Sequence, residues 1–249
     1  MHNLKEQLIW VNWKLINNKK RPFSAITSHE TGTSPEYARE WTDYSKAVAK
    51  LNADSNGNTD RNGCIKHTKC KVDGSGISCE SCGSCESCGV GFIIPEGYFF
   101  LDVDHQEKDS PLIQELMSVL PTYAEVSPSG NGIHFYGKCN LAQLPIDVIN
   151  GHKKLSKEYY TKNPHNRIEL YIGGLTNRFS TFTGDCISGT EELIDCTEGL
   201  LQILETKMQK CLQEAQEAHC PHCPQGCDDG ADQFVQLGED DIPQIISDL

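Results

Sequence analysis

The sequence lacks the features of a membrane protein, a secreted disulfide scaffold or a disordered chain. No apolar run approaches the roughly 20 residues that a spanning helix needs. The best candidate, residues 90–103, is interrupted by Pro95 and Glu96. The opening MHNLKEQLIW has no apolar signal-peptide core. With 249 residues, 37% of them hydrophobic and 23% charged, the chain has the composition of a globular protein with a core of its own.

Basic residues are absent after Lys210. Residues 211–249 hold nine Asp and Glu, so they carry most of the net charge of −13, and residues 1–210 carry only −4. A strongly acidic chain is a poor partner for nucleic acid. A nearly neutral body can still present a local basic groove. We therefore expect a body at residues 1–210 and an acidic tail at residues 211–249.

Cysteine is abundant, at 13 residues, in a chain without a secretory signal, which favours metal ligands over disulfides. Residues 56–90 are rich in Gly, Ser and Cys, and we predict an insertion that structural zinc holds together. Zinc takes four ligands, so four of the six cysteines are expected to bind it, and an iron–sulfur cluster is the rival. The six are Cys64, Cys70, Cys79, Cys82, Cys85 and Cys88.

A second cluster, at residues 219–227, is a weaker candidate for zinc. Its ligands would be His219, Cys220, Cys223 and Cys227. The remaining cysteines are scattered and are expected to be small buried hydrophobic residues. They are Cys139, Cys186, Cys196 and Cys211.

Short apolar segments with alternating pattern predict more strands than helices. Because Gly- and Pro-containing turns join neighbouring strands like hairpins, the expected fold class is α+β with a partly antiparallel sheet. The predicted strands are residues 6–15, 91–94, 98–104, 123–127, 133–137, 167–172 and 178–184, and the predicted helices are residues 34–51, 110–120 and 191–213.

The strongest local signal is FFLDVD, at residues 99–104. Alternation along a strand places Asp102 and Asp104 on one face, and Leu101 and Val103 on the other. Two carboxylates on one face repel each other and resist desolvation, and a divalent cation relieves both problems. The pattern favours a metal site over a solvated strand end, although glycosyltransferases and nucleases also use such pairs.

Two further segments carry weaker signals. SPSGNGIH, at residues 127–134, predicts a turn whose backbone N–H groups can bind an anion, with His134 following it. Taken alone, a hairpin and a buried histidine explain that segment better. Glu169 lies on an apolar predicted strand and could complete a three-carboxylate site, and Arg178 could face a phosphate. An ordinary hairpin with a surface Glu and Arg is the alternative.

In this order, the three segments resemble the archaeo-eukaryotic primase superfamily, and more closely the bifunctional primase–polymerase domains of phages, plasmids and other mobile elements. The family carries an hhhDhD strand, here FFLDVD, and an S-G-x-G-x-H turn, here SGNGIH. An acidic strand and an R-[FY]-x-T-x-T-G run follow, here IELY and RFSTFTG. KKRPF and the helix WTDYSKAVAKL resemble its N-terminal lead-in. The resemblance covers about residues 8–205.

The resemblance implies a primase-like catalytic core at residues 1–210, an RRM-like mixed or antiparallel sheet with flanking helices, which the Cys-rich insertion interrupts. It implies that Asp102, Asp104 and Glu169 hold two Mg²⁺ or Mn²⁺ ions. Many primases carry zinc near the active site, which agrees with zinc in the insertion. The residues implied at the incoming nucleotide are Ser129, Gly130, Gly132 and His134, to which we add Arg178.

The implied activity is synthesis or extension of primers on single-stranded DNA from nucleoside triphosphates, by two-metal nucleotidyl transfer. The template would lie on the basic residues 152–167, for which a solvated loop is the alternative. No intact phosphate loop is present, so a replicative helicase is expected in trans or on a longer chain. The implied location is the cytoplasm of a bacterial or phage-infected cell.

Two other functions remain open from the sequence. A metal-dependent glycosyltransferase would use the Asp102/Asp104 pair on a nucleotide-sugar, but it leaves SGNGIH and RFSTFTG unexplained. A non-catalytic zinc module that binds nucleic acid would explain the cysteines, but it leaves the three carboxylates without a role.

Overall fold

The computed structural model describes residues 1–54 and 88–210, and two short strands between them by their backbone alone. The fold is α+β with antiparallel sheets, as predicted, and the described sheets belong to one compact unit, Met1–Leu212. Among the described residues, no helix is both long and apolar enough to cross a bilayer.

Within the described part of the chain, runs of strands are separated by short helices. The helices are α1 (His2–Lys5), α2 (Tyr44–Asp54), α3 (Pro111–Val119) and α4 (Thr197–Lys207). The strands are β1 (Trp10–Ile16), β2 (Lys19–Phe23), β3 (Cys70–Asp73), β4 (Gly76–Cys79), β5 (Cys88–Ile93), β6 (Tyr98–Asp104), β7 (Tyr123–Val126), β8 (Gly132–Lys138), β9 (Ile146–Ile149), β10 (His152–Leu155), β11 (Lys162–Asn163), β12 (Ile168–Ile172) and β13 (Phe179–Phe182).

Two sheets form the body. The larger has the order β11-β12-β6-β8-β7 and the smaller the order β13-β5-β1-β2, and every neighbouring pair in both is antiparallel. The hairpins β3–β4 and β9–β10 form two-stranded sheets of their own. The central strand of the larger sheet is β6, which carries FFLDVD.

One face of the five-stranded sheet is largely apolar and packs under α3 and α4. Phe99, Leu101 and Val103 of β6 point to this side and are buried together with Ile113 of α3 and Leu200 of α4. Helix α3 begins as predicted, because the Ser110 Oγ accepts a hydrogen bond from the backbone N–H of Ile113. The burial of this face orients the other side chains of β6 away from the helices.

The opposite face of the five-stranded sheet meets the smaller sheet through aromatic rings. Phe100 stacks on Tyr136 with ring centroids 5.3 Å apart, and Tyr136 lies 5.2 Å from Phe92 of β5. Trp10 of β1 lies 5.0 Å from Phe92 and 5.4 Å from Phe182. Large buried rings dominate such a core, and here they fix the spacing of the two sheets.

The predicted helix at residues 34–51 is wrong in its continuity. A 3₁₀ helix covers Pro35–Glu40, and α2 begins only at Tyr44. Between them, the backbones of Thr42 and Trp10 exchange two hydrogen bonds of 2.8 and 2.9 Å. Pairing with β1 holds Thr42 in an extended conformation, so the local helical pattern yields to a tertiary contact.

The predicted helix at residues 191–213 begins later than expected. Helix α4 starts at Thr197, because the preceding residues run beside β8. There the N–H of Lys138 donates to the Ile194 carbonyl, and the N–H of Cys196 donates to the Lys138 carbonyl. Residues 194–196 thus form hydrogen bonds with β8 before the chain becomes helical.

The predicted hairpins at residues 91–104 and 167–184 are also wrong. In both, the second strand belongs to a different sheet from the first. The turns at residues 95–97 and 173–177 therefore carry the chain between sheets. They touch each other, since a Cβ on Gly173 would lie 1.9 Å from the carbonyl oxygen of Pro95.

We expect Gly173→Ala to lower the free energy of unfolding by about 2–3 kcal/mol, because a methyl group has to displace backbone rather than a flexible side chain. Gly151→Ala is the control: its Cβ meets nothing within 4 Å, and its φ of 79° alone costs about 1 kcal/mol. Urea denaturation measures both variants. Equal losses would show that the two turns do not depend on their close approach.

Candidate active site

A row of polar side chains crosses the whole five-stranded sheet. In the strand register, Lys162 opposes Glu169, Glu169 opposes Asp102, Asp102 opposes His134, and His134 opposes Glu125. Directly opposed residues of antiparallel strands share a face. We call these five residues the charged row. It lies on the face away from α3 and α4, next to the stacked aromatic rings.

The surroundings of Asp102 disfavour the charged form of its carboxyl group. Its Oδ1 is buried and makes no hydrogen bond within the described part of the chain. The Nε2 of His134 lies 3.5 Å from that oxygen without hydrogen-bond geometry. Burial raises the pKa of Asp102, and the charges of Asp104 and Glu169 add to this shift, although His134 opposes it.

Asp104 lies two residues further along β6, on the same face and at the exposed end of the strand. It opposes Gly132, where a Cβ would come within 2.9 Å of the Val103 carbonyl oxygen. Glycine at residue 132 therefore lets the SGNGIH turn lie close against the end of β6.

The SGNGIH turn satisfies most of its own polar groups. The N–H of Gly130 donates to the Ser127 carbonyl, and the N–H of Asn131 donates to the Ser129 hydroxyl. Gly130 has a φ of 73°, which glycine adopts without strain. These two backbone N–H groups are consequently engaged inside the turn rather than directed at the predicted anion.

Glu169, unlike Asp102, has a partner for each carboxylate oxygen. The Nζ of Lys162 donates to Oε1 over 2.9 Å, and the hydroxyl of Tyr171 donates to Oε2. Burial and this hydrogen bond raise the pKa of Tyr171 to about 12. The guanidinium of Arg178 lies 5.2 Å from the Tyr171 ring centre, which places Arg178 beside the charged row.

His134 is buried between two carboxylates, with only 2% of its surface exposed. Its Nδ1 lies 3.1 Å from the Tyr136 hydroxyl and 3.5 Å from Oε1 of Glu125, while its Nε2 faces Asp102. The ring therefore lies between the two carboxylates and does not face solvent. The phosphate contact that the resemblance implies stays a prediction.

Glu125, which the sequence analysis missed, is fully buried. Four neutral groups donate to it and satisfy both oxygens, which makes a buried carboxylate tolerable. The strand YAEV offered a signal, a single Glu among apolar neighbours. The four donors are the hydroxyls of Tyr123 and Tyr136 and the backbone N–H groups of Thr183 and Gly184.

The end of the RFSTFTG run thus binds the buried Glu125, and this contact joins the two sheets. Tyr136 reinforces it, since its hydroxyl lies 2.8 Å from both the Ser180 Oγ and the Thr181 carbonyl oxygen. In this fold, the end of the run has a structural role.

A cavity of about 420 Å³ opens at the exposed end of the charged row. Asp104 and Glu169 line it together with three basic side chains, those of Lys162, His105 and Arg167. Acidic and basic groups thus meet in one open space. A phosphorylated ligand that carries a divalent cation has this combination of charges.

Lys20, on the smaller sheet, adds a further cation to this region. Desolvation lowers its pKa, and the charges of Asp102 and Asp104 oppose that shift. In the sequence, Lys20 belongs to KKRPF, the segment that resembles the N-terminal lead-in of the primase–polymerase family.

The three predicted metal ligands share a face and fit a hard cation. A dry carboxylate oxygen without a donor is costly, and a divalent cation bound by oxygen ligands would satisfy the Oδ1 of Asp102. Within residues 1–54 and 88–210, no three His, Cys, Asp or Glu side chains form a ready-made metal cluster.

The predicted zinc ligands fall largely outside the described residues. Cys88, half-buried at the start of β5, is described. Cys70 and Cys79 are direct partners in the backbone register of β3 and β4. The other insertion cysteines and the whole cluster at residues 219–227 lie outside the described part. Cys139 and Cys196 are buried in the core, as predicted, whereas Cys186 is only half-buried at the edge of the aromatic core. Cys211 lies outside the described residues.

Comparison with known proteins adds no family assignment. Neither the scan against protein-family models nor the search of curated proteins gave a match to this chain.

The raised pKa of Asp102 predicts the sign of a stability change. A carboxyl group with a raised folded-state pKa stabilises the fold when protonated, and this contribution is lost as the pH rises through that pKa. Asp102→Asn mimics the protonated form. We expect it to raise the free energy of unfolding at pH 7 by about 1 kcal/mol, and we expect the gain to vanish near pH 3.

Asp43→Asn is the control of opposite sign. Hydrogen bonds from the backbone and side chain of Lys46 lower the pKa of Asp43, so its contribution is present at neutral pH and is lost as the pH falls. This variant should be less stable than the wild type at pH 7. Urea denaturation at both pH values tests the pair, and an Asp102→Asn protein no more stable than the wild type at pH 7 would contradict the raised pKa of Asp102.

Proposed function

We propose that this chain is a primase–polymerase, a nucleotidyltransferase that makes or extends primers on single-stranded DNA from nucleoside triphosphates. The observation that carries the proposal is the shared face of Asp102, Asp104 and Glu169, with the Oδ1 of Asp102 buried and unsatisfied. Their order along the chain, together with SGNGIH and RFSTFTG, supports the same function and a primase-like core.

Asp102, Asp104 and Glu169 would hold Mg²⁺ or Mn²⁺. When bound, such cations lower the pKa of an attacking hydroxyl group and neutralise charge on the leaving group. The reaction joins a primer 3′-oxygen to the α-phosphorus of a nucleoside triphosphate and releases pyrophosphate. His134, 3.5 Å from Asp102, would favour the charged form of that carboxylate. Arg167, which lines the cavity, and Arg178, which lies beside Tyr171, would contact the phosphates.

The template would bind along the β9–β10 hairpin. Lys153 and Lys154 are exposed on β10, and Lys153 opposes Val148, which is 68% exposed. A basic and apolar surface of this kind suits single-stranded nucleic acid, whose phosphates and bases it can contact together.

For the Cys-rich insertion we propose structural zinc, supported by the register of Cys70 and Cys79.

The test is synthesis on single-stranded DNA with labelled nucleotides and Mg²⁺ or Mn²⁺. We expect primer-length products from the wild type and at least a hundredfold loss in Asp102→Ala/Asp104→Ala, because the carboxylates that hold the cations are gone. Glu205→Ala, an exposed carboxylate on α4 behind the sheet, is the control and should retain activity.

The same assay separates the other functions. Transfer from a labelled nucleotide-sugar, without primer synthesis, would favour the glycosyltransferase. A wild-type protein that binds DNA and zinc but is silent with every substrate would favour the non-catalytic module. Either result would overturn the proposal.

Template binding makes a separate prediction. Lys153→Gln/Lys154→Gln should weaken binding of a fluorescent single strand and reduce the slope of log K against log salt by about 1.4, since each lost phosphate contact removes about 0.7. Fluorescence anisotropy at several salt concentrations measures this slope. Lys46→Gln/Lys50→Gln on α2 is the control, and an equal change in both double variants would argue against the hairpin as the binding surface.

A further inference from the structure

Asp102 and Glu169, two carboxylates of the proposed metal site, differ in the hydrogen bonds that they receive. The Oδ1 of Asp102 is buried and receives no hydrogen bond from the described residues, whereas both oxygens of Glu169 are engaged. Lys162 holds Oε1 from the neighbouring strand, where it opposes Glu169 in the register. Tyr171 holds Oε2. The carboxylate of Glu169 is therefore already paired with a cation, the ammonium group of Lys162.

An ammonium group and a divalent cation cannot share one carboxylate oxygen at full strength, because their charges repel at such short distances. We propose that Lys162 is an exchangeable counter-ion: it pairs with Glu169 in the metal-free protein, and it transfers to the nucleotide phosphates when a divalent cation takes its place. This inference depends on the proposed function, and it adds a residue that links metal binding to nucleotide binding.

The surroundings of Lys162 allow this exchange. Its side chain is 55% exposed, and that of Glu169 is 24% exposed. Strand β11 is only two residues long and lies at the edge of the sheet. Lysine presents a compact charge on a flexible stem and binds phosphates from many directions. The ammonium can therefore leave Glu169 without disturbing the core.

The place to which it would move is the cavity beside the charged row. Lys162 lines this cavity together with Arg167 and Asp104. A triphosphate in the cavity would bring negative charge to Lys162 when the divalent cation removes the need for it at Glu169. Tyr171 stays hydrogen-bonded to the other oxygen and keeps the carboxylate in position.

The charges around Lys162 predict that its removal changes the affinity for metal and the affinity for nucleotide in opposite directions. Asp102, Asp104 and Glu169 carry three negative charges, which Lys162 and Lys20 partly compensate. Removing Lys162 leaves more negative charge for a divalent cation to bind, so the affinity for free metal rises. It also removes a phosphate contact, so the affinity for nucleotide falls. A lysine with a merely structural role would not separate the two affinities.

The first measurement is Mn²⁺ binding without nucleotide, followed by electron paramagnetic resonance. Lys162→Gln should bind Mn²⁺ about threefold more tightly than the wild type, the scale of an exposed ion pair. Lys162→Arg keeps the charge and should stay close to the wild type. Lys46→Gln is the matched control, since Lys46 of α2 forms a 3.0 Å ion pair with Asp43, the residue before this helix.

The second measurement is calorimetric binding of dATP in the presence of saturating Mn²⁺ and without template. Lys162→Gln should bind it about tenfold more weakly, the scale of a charge-assisted hydrogen bond. Circular dichroism confirms that each variant is folded. Tighter Mn²⁺ and weaker dATP together support the exchange.

Unchanged or weaker Mn²⁺ binding in Lys162→Gln would overturn the exchange, as would unchanged dATP binding. The proposed function survives failure of the exchange if the wild type still binds Mn²⁺ and Asp102→Asn abolishes that binding. If the wild type binds no Mn²⁺ at all, the metal site fails and both proposals are overturned.

Discussion

The register of β6 with its neighbours β8 and β12 is the constraint on which the rest of the structure depends. It aligns Glu169, Asp102 and His134 across three strands, on the face that the helices leave uncovered. Because side chains alternate, a slip of one residue in β6 would send Asp102 into the core beneath α3 and α4. The apolar residues Leu101 and Val103 prevent that slip. The same hydrophobic burial that stabilises the sheet therefore positions the candidate site.

The charged row also shows how a fold can satisfy one buried carboxylate and leave another in need. Glu125 receives four hydrogen bonds, joins the two sheets and requires nothing further. Asp102, on the other side of His134, keeps a buried oxygen for which the described part of the chain supplies no donor. Groups left unsatisfied in this way cost stability and are concentrated at functional sites. This contrast distinguishes a structural carboxylate from a candidate ligand within one sheet.

The sequence predicted the strands of the candidate site well, because alternation in FFLDVD and IELY is a local property. It failed wherever a distant partner decides the outcome. Thr42 leaves the helical pattern because it pairs with Trp10, and no local signal announces that contact. The segments PEG and GGLTN indicate turns but do not say that each joins two different sheets. Glu125 was missed because its four donors come from three separate segments of the chain.

The most direct test of metal binding at the charged row is anomalous diffraction from crystals soaked in Mn²⁺. We predict an anomalous peak within coordination distance, about 2.2 Å, of carboxylate oxygens from Asp102 and Asp104, with Lys162 withdrawn from Glu169. A peak elsewhere, or none beside Asp102 at saturating Mn²⁺, would contradict the claim that the charged row is a metal-binding face.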